Sequence, residues 1–107
     1  MEPIRTRLAD SGGTRPPALF TVGEHVYHLR HPGPEGLAWL IRRAMADRLD
    51  PATRNAPVRI VFAACLDRAA RHRLWARLGD PDDPLGEDDL IGPVIDALAL
   101  WWGLDPF

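Results

Sequence analysis

Proline and glycine divide this chain into short segments, and this punctuation limits most strongly what it can fold into. Eleven Pro and nine Gly occur among 107 residues, many of them within residues 1–36 and 79–93. Because Pro ends helices and strands and Gly favours turns, the regular elements between them have to be short. A chain of this length with 46% hydrophobic residues can build one modest core. The sequence therefore predicts a single small domain of short elements joined by rigid turns.

The N-terminal part of the chain changes character near residue 18. Residues 1–17 mix Arg, Asp, Gly, Ser and Pro without periodicity, so little apolar surface offsets the entropy of ordering, and we expect a flexible arm. Residues 18–22 and 25–29 are rich in β-branched and aromatic side chains and flank Gly23-Glu24, where Gly at the first position suits a type II′ turn. We predict a β-hairpin here, packed against the helices that follow because an isolated hairpin is only marginally stable.

Four helices are predicted for the rest of the chain from apolar spacing, Asp caps, and Pro and Gly boundaries. They cover residues 35–49, 57–66, 67–79 and 87–103. The second segment is apolar nearly all round, and its β-branched residues leave a strand as the alternative. The predicted inner face of the fourth helix comprises Leu90, Ile91, Val94, Ile95, Leu98 and either Trp101 or Trp102. The expected fold class is mainly α: a small four-helix bundle with an N-terminal β-hairpin, divided into an arm of residues 1–17 and a domain of residues 18–107.

Charge is distributed very unevenly along the chain. There is no Lys, all thirteen Arg precede Gly79, and eight of the fifteen acidic residues follow it. Residues 1–79 therefore carry thirteen positive and seven negative charges, a net of +6, whereas residues 80–107 carry −8, which together give the total of −2. Charge blocks of this kind bear on partners and solubility and not on fold. The pattern predicts a protein that acts by interaction.

Nothing in the sequence forms a recognisable catalytic set. The single Cys, Cys65, lies in an apolar run and is expected to pack as a small hydrophobic residue, without an intrachain disulfide. The single Ser, Ser11, lies in the predicted arm, away from a base and an orienting acid. No Gly-rich loop suited to phosphate is present. We therefore expect no enzyme activity and no cofactor.

Two patterns that could suggest a metal site do not support one. His25, His28 and His31 are three residues apart, a spacing that sends the first two to opposite faces of a strand. Pro81 and Pro84 interrupt the ligand spacing that a calcium loop needs. The sequence thus predicts no bound metal.

No segment suggests a membrane. The longest apolar stretch runs from Val94 to Trp102, contains Asp96, and is far too short to cross a bilayer. No basic start followed by an apolar signal segment is present. We expect a cytoplasmic protein without a membrane partner.

The third helix and the Trp pair are candidate contact surfaces. Arg68, Arg71 and Arg77 cover a wide arc that could follow a phosphate backbone, but the adjacent acidic block offers them internal partners and repels nucleic acid. A solvated face or an ion-pair network is favoured over nucleic-acid binding. Trp101 and Trp102 cannot both face inward on one helix, so one of them is a candidate partner contact.

The order of these features resembles the tail assembly chaperones of long-tailed actinobacterial phages. The strongest similarity covers residues 66–103, with further support from residues 20–49. It is carried by a helix that opens with Asp, a Leu-x-Asp-Pro-Asp-Asp type turn, and a final amphipathic helix ending in aromatic residues and Gly. The residues concerned are Phe20, Gly23, Tyr27-His28-Leu29, Asp67-Arg68, Leu74-Trp75, Leu78 to Leu85, and Asp89-Leu90.

This resemblance implies a non-catalytic protein that escorts the long helical tape measure protein in the host cytoplasm while the tail tube assembles. It implies apolar contacts from Trp75, Trp101 and Trp102, with charged groups setting the register. Those charged groups are Arg68, Arg71, Arg77, Asp82, Asp83, Asp88 and Asp89. The alternative is a small phage or bacterial regulatory or inhibitory protein whose acidic surface, residues 80–89, occupies a basic site on a target protein. Self-association into a homo-oligomer is left open.

Overall fold

Three strands followed by four helices make up the structure, a computed structural model that describes residues 4–10 and 15–104. The elements are β1 (Thr6–Leu8), β2 (Ala18–Val22), β3 (His25–Leu29), α1 (Pro34–Arg48), α2 (Ala56–Cys65), α3 (Arg68–Leu78) and α4 (Glu87–Leu104). The prediction of a mainly helical domain with four helices is confirmed. The α2 segment is a helix, so the strand alternative for it is wrong.

The N-terminal strands form an antiparallel sheet in the order β1-β2-β3. The predicted hairpin is β2–β3, and Gly23 in its turn has a φ of 62°, a value that Gly adopts without steric cost. The prediction of two strands is wrong, because β1 adds a third along the edge of β2 and pairs Thr6 with Phe20. β1 lies inside the predicted arm of residues 1–17, of which residues 1–3 and 11–14 lie outside the described residues.

Burial on alternate residues explains why β1 forms. Ile4 and Leu8 pack against the core, whereas Arg5 and Arg7 are exposed. Thr6 shares the inner face and its Oγ1 donates a hydrogen bond to the carbonyl oxygen of Pro93 in α4, at 3.1 Å. An apolar-polar alternation is the pattern of a half-buried strand. β1 therefore fastens the N-terminal segment to α4.

The core lies between the sheet and the helices, with α2 at its centre. The ring of Phe20 stacks on Tyr27 at 5.2 Å and on Phe62 at 5.7 Å between centroids. Val58, Val61, Phe62 and Cys65 of α2 are completely buried. Asp67 follows α2 and caps the start of α3, since its Oδ1 accepts a hydrogen bond from the Ala70 amide at 2.7 Å. α2 thus contributes one completely buried face to the core, while its opposite side is exposed.

The last helix places Trp101 inward. Trp101 is completely buried, and its Nε1 donates a hydrogen bond to the carbonyl oxygen of Pro16 at 3.0 Å. Trp102 is 40% exposed. The helix continues through Gly103 to Leu104, one residue beyond the predicted end. The alternative left open between the two Trp residues is thus resolved in favour of Trp101 as the core residue.

Candidate functional site

The fourth helix is apolar over more of its surface than the core can bury. Its buried residues are Leu90, Pro93, Val94, Ala97, Leu98 and Trp101. A second stripe, formed by Ile91, Ile95, Leu98 and Trp102, follows the four- and three-residue spacing of one helix face. Ile91 and Ile95 were predicted to lie on the inner face, but they are only partly buried and lie beside it. This second stripe faces an open groove.

The first helix supplies the opposite wall of the groove. Ala38, Ile41, Met45 and Leu49 follow the same helical spacing and line the groove together with the second stripe of α4. Met45 is 65% exposed and Leu49 is 87% exposed, so large apolar side chains at this wall remain in contact with water. The groove has a volume of about 1080 Å³. We refer to it as the α1–α4 groove.

Charged residues lie among these apolar residues, and their sign differs between the walls. Arg42 and Arg48 line the α1 wall and Asp96 lines the α4 wall, and all three are exposed. Arg48 Nη1 donates to the carbonyl oxygen of Arg54 at 3.3 Å, which positions its guanidinium near the end of α1. The α1–α4 groove therefore has an apolar lining, a basic side and an acidic side.

The three Trp residues that the resemblance implies as contacts lie in three different environments. Trp102 lines the α1–α4 groove. Trp75 is partly buried against Phe62, and the Arg59 guanidinium lies over its ring at 5.2 Å from the centroid. Trp101 has no exposed surface to offer a partner. The structure therefore brings only Trp102 into the groove.

The Arg residues of α3 lie away from the groove. Arg77 forms a two-point ion pair with Asp83, with Nε and Nη2 at 2.7 and 3.0 Å from the two carboxylate oxygens. Arg71 Nη1 donates to the carbonyl oxygen of Ala63 at 3.4 Å, and Arg68 is exposed. Arg77 thus serves the connection between α3 and α4, and Arg68 is the most accessible of the three.

Two of the four acidic residues predicted to set the register hold their own loop, and a third contacts the segment before α2. Asp83 Oδ1 accepts a hydrogen bond from the Leu85 amide at 2.9 Å in addition to its ion pair. Asp89 Oδ2 accepts one from the Gly86 amide at 2.9 Å, and Asp88 Oδ1 accepts one from the Asn55 side chain. Asp82 is exposed, and its own amide donates to Asp80 Oδ1 at 2.9 Å. Asp82 is therefore the carboxylate of this group most available to a partner.

The Arg77–Asp83 pair makes the stability of the domain sensitive to acid. The hydrogen bond from the Arg77 side chain, followed by that from the Leu85 amide, holds the pKa of Asp83 below its ordinary value. A carboxyl group whose pKa is lower in the folded than in the unfolded protein stabilises the fold at pH values above the unfolded pKa. This stability is lost as the pH falls through the lower, folded value.

We expect Asp83→Asn to lower the free energy of unfolding at pH 7 and to have a smaller effect below about pH 4, where the carboxyl of the unfolded wild type is protonated. Urea unfolding followed by circular dichroism between pH 2 and pH 7 measures both effects. Asp82→Asn, in the same loop but exposed, is the matched control and should follow the wild type. Equal pH dependence in wild type and Asp83→Asn would contradict the assignment.

Comparisons with known proteins, and a search for metal sites and membrane spans, give three further findings. No protein-family model, curated protein or solved structure matches the chain. Within residues 4–10 and 15–104, no group of three or more His, Cys, Asp or Glu side chains is placed to hold a metal ion. None of the described helices combines the length and the apolarity needed to cross a lipid bilayer.

Proposed function

We propose that this chain is a non-catalytic tail assembly chaperone that binds helical segments of the tape measure protein in the α1–α4 groove. The observation that supports the binding mode is the groove itself, where two apolar helix stripes leave room between them and large side chains stay exposed. Grooves of this kind accept the apolar face of an amphipathic helix. The identity of the partner comes from the resemblance over residues 66–103.

The dimensions of the groove suit a short helical segment. Each wall extends over eleven residue steps, from Ala38 to Leu49 and from Ile91 to Trp102. At about 1.5 Å per residue each wall is about 16 Å long, which corresponds to about three turns of a bound helix. The groove therefore contacts about three or four apolar side chains of a partner at helical spacing.

The chemistry of the lining suits reversible binding of many similar segments. Met45 is flexible and polarisable and can adapt to different partner side chains. Trp102 adds a large apolar surface of the type enriched at binding hot spots. A chaperone for a long helical protein has to cover successive helices that differ in detail and then release them. An adaptable apolar groove meets this requirement.

Co-expression with the tape measure protein encoded by the same genome tests the partner. We expect the two chains to copurify, and we expect the gene for this chain to lie between the tail tube and tape measure genes. A genome without tail genes near this chain, or a tape measure protein that does not copurify, would contradict the chaperone assignment.

A labelled, designed amphipathic peptide of about five turns, with Leu at heptad a and d positions, tests the groove separately. We expect Ile95→Glu and Met45→Glu each to weaken peptide binding by at least about 30-fold, because a charge is placed at an apolar contact. Ala63→Glu, on an exposed position of α2, is the control and should bind like the wild type. Fluorescence anisotropy measures binding, and circular dichroism checks the fold.

The same assay distinguishes the groove from the acidic loop. Asp82→Arg reverses the most available carboxylate of that loop and should leave peptide and tape measure binding unchanged. Loss of binding in Asp82→Arg, together with normal binding in Ile95→Glu, would move the contact to residues 80–89 and contradict the groove.

A further inference from the structure

The α1–α4 groove is self-complementary in charge. Its α1 wall carries Arg42 and Arg48, and its α4 wall carries Asp96, with apolar residues between the two. A surface that has one basic side and one acidic side can pair with a copy of itself if the basic side of each copy meets the acidic side of the other. Closed pairing through the same surface on both molecules is the usual geometry of homodimers.

The direction of the two-fold axis decides which walls meet. If the axis runs along the groove, α1 of one copy lies over α4 of the other, so that arginines face aspartate at both contacts. If the axis runs across the groove, α1 lies over α1, and arginines face arginines. Like charges placed opposite one another oppose association, whereas complementary charges select the partner and its register. The charges therefore favour the axis along the groove.

Each wall carries a charged residue near its middle. Asp96 is near the middle of the α4 wall, which extends from Ile91 to Trp102, and Arg42 is near the middle of the α1 wall. An axis along the groove keeps each residue at its own height. Such an axis therefore sets the α1 wall with Arg42 of one copy against the α4 wall with Asp96 of the other.

We propose that, when no client helix is bound, a second copy of this chain covers the α1–α4 groove in a two-fold dimer. In this dimer Arg42 and Arg48 of each copy face Asp96 of the other. The dimer covers Met45 and Trp102, which are large apolar side chains exposed to water in the single chain. The second copy and a client helix use the same groove, so each displaces the other. The dimer goes beyond the proposed function and does not depend on it, whereas its competition with a client helix rests on that function.

A charge-swap experiment tests the dimer. The first variant combines Arg42→Asp with Arg48→Asp, and the second is Asp96→Arg. Each variant alone places like charges at both contacts, so we expect its dissociation constant to rise at least about 30-fold, as seen by light scattering after gel filtration. In an equimolar mixture both contacts are complementary again, and we expect a heterodimer. All three positions are exposed, so the folded domain should be retained, which circular dichroism checks.

The control combines Arg5→Asp with Arg68→Asp. It changes the net charge by the same amount as the first variant, but at exposed positions outside the groove. We expect this control to dimerise like the wild type. A wild type that stays monomeric at all concentrations, a dimer that ignores both swaps, or a mixture that does not recover would overturn the proposal. Client binding is read separately by peptide anisotropy, so failure of the dimer and failure of the chaperone function give different results.

Discussion

Replacing Trp101 with alanine is expected to lower the free energy of unfolding by about 3–5 kcal/mol, the range for truncating a large buried aromatic side chain. Trp101 is completely buried in contact with the core, and its ring lies 5.2 Å from that of His31. The substitution leaves a large cavity and removes the donor to the Pro16 carbonyl oxygen. Because that carbonyl belongs to the segment leading into β2, both the helix and the sheet lose support.

The neighbouring residue provides a matched control for this prediction. Trp102→Ala removes the same side chain from a position that is 40% exposed in the groove, so we expect a loss of no more than about 1 kcal/mol. Urea unfolding followed by far-ultraviolet circular dichroism measures both variants without depending on Trp fluorescence. For peptide binding the order is reversed, and we expect Trp102→Ala to weaken binding more than Trp101→Ala does. Equal losses of stability in the two variants would show that the assignment of inner and outer faces is wrong.

The second large effect concerns the thiol of Cys65. Burial in α2 raises its pKa to about 12, although the nearby Arg30 charge acts in the opposite direction. The thiolate is the reactive form, and such a shift reduces its population near pH 8 by about a thousandfold relative to an ordinary thiol. We therefore expect iodoacetamide to label the folded protein at least about a thousandfold more slowly than the urea-unfolded chain. Mass spectrometry over a time course measures the rate.

A displaced thiol separates burial from the local sequence. The variant that combines Cys65→Ala with Ala64→Cys moves the thiol by one residue to an exposed position on the same helix, and it should react at an ordinary rate. The raised pKa also makes the free energy of unfolding depend on pH. Burial of the neutral thiol stabilises the fold below the pKa of the unfolded thiol, and this stabilisation is lost as the pH rises from that value towards about 12. Equal labelling rates of the folded wild type and this folded variant would contradict the buried position of Cys65.

The helices were predictable because their signals are local. Asp67 caps the start of α3 and Gly79 follows its last residue. Each acts on backbone groups only a few residues away. The third strand was missed, although Ile4-Arg5-Thr6-Arg7-Leu8 alternates between apolar and polar residues over all but its central position. The alternation is short, and β1 is held by distant partners in β2 and α4 that no local pattern identifies.

The candidate site was less predictable than the fold. The tandem Trp101-Trp102 showed that one of the two would be exposed, and the structure selects Trp102. The acidic loop was predicted as a contact surface, but its carboxylates differ in position: Asp83 is held by Arg77, whereas Asp82 is exposed. The sequence alone does not tell which carboxylate is held and which is exposed, because the two residues are identical and adjacent.

The amino-acid sequence by itself determined four helices, the β2–β3 hairpin, and the separation of basic and acidic segments, since each follows from residues close together in the chain. Only the tertiary structure decided which apolar stripes are covered. Residues 38–49 and 91–102 are far apart in sequence, and each stripe taken alone resembles an ordinary buried helix face. They line an open groove because β1, β2 and α2 pack on the inner face of α4, and the second stripe lies beside that face, toward α1.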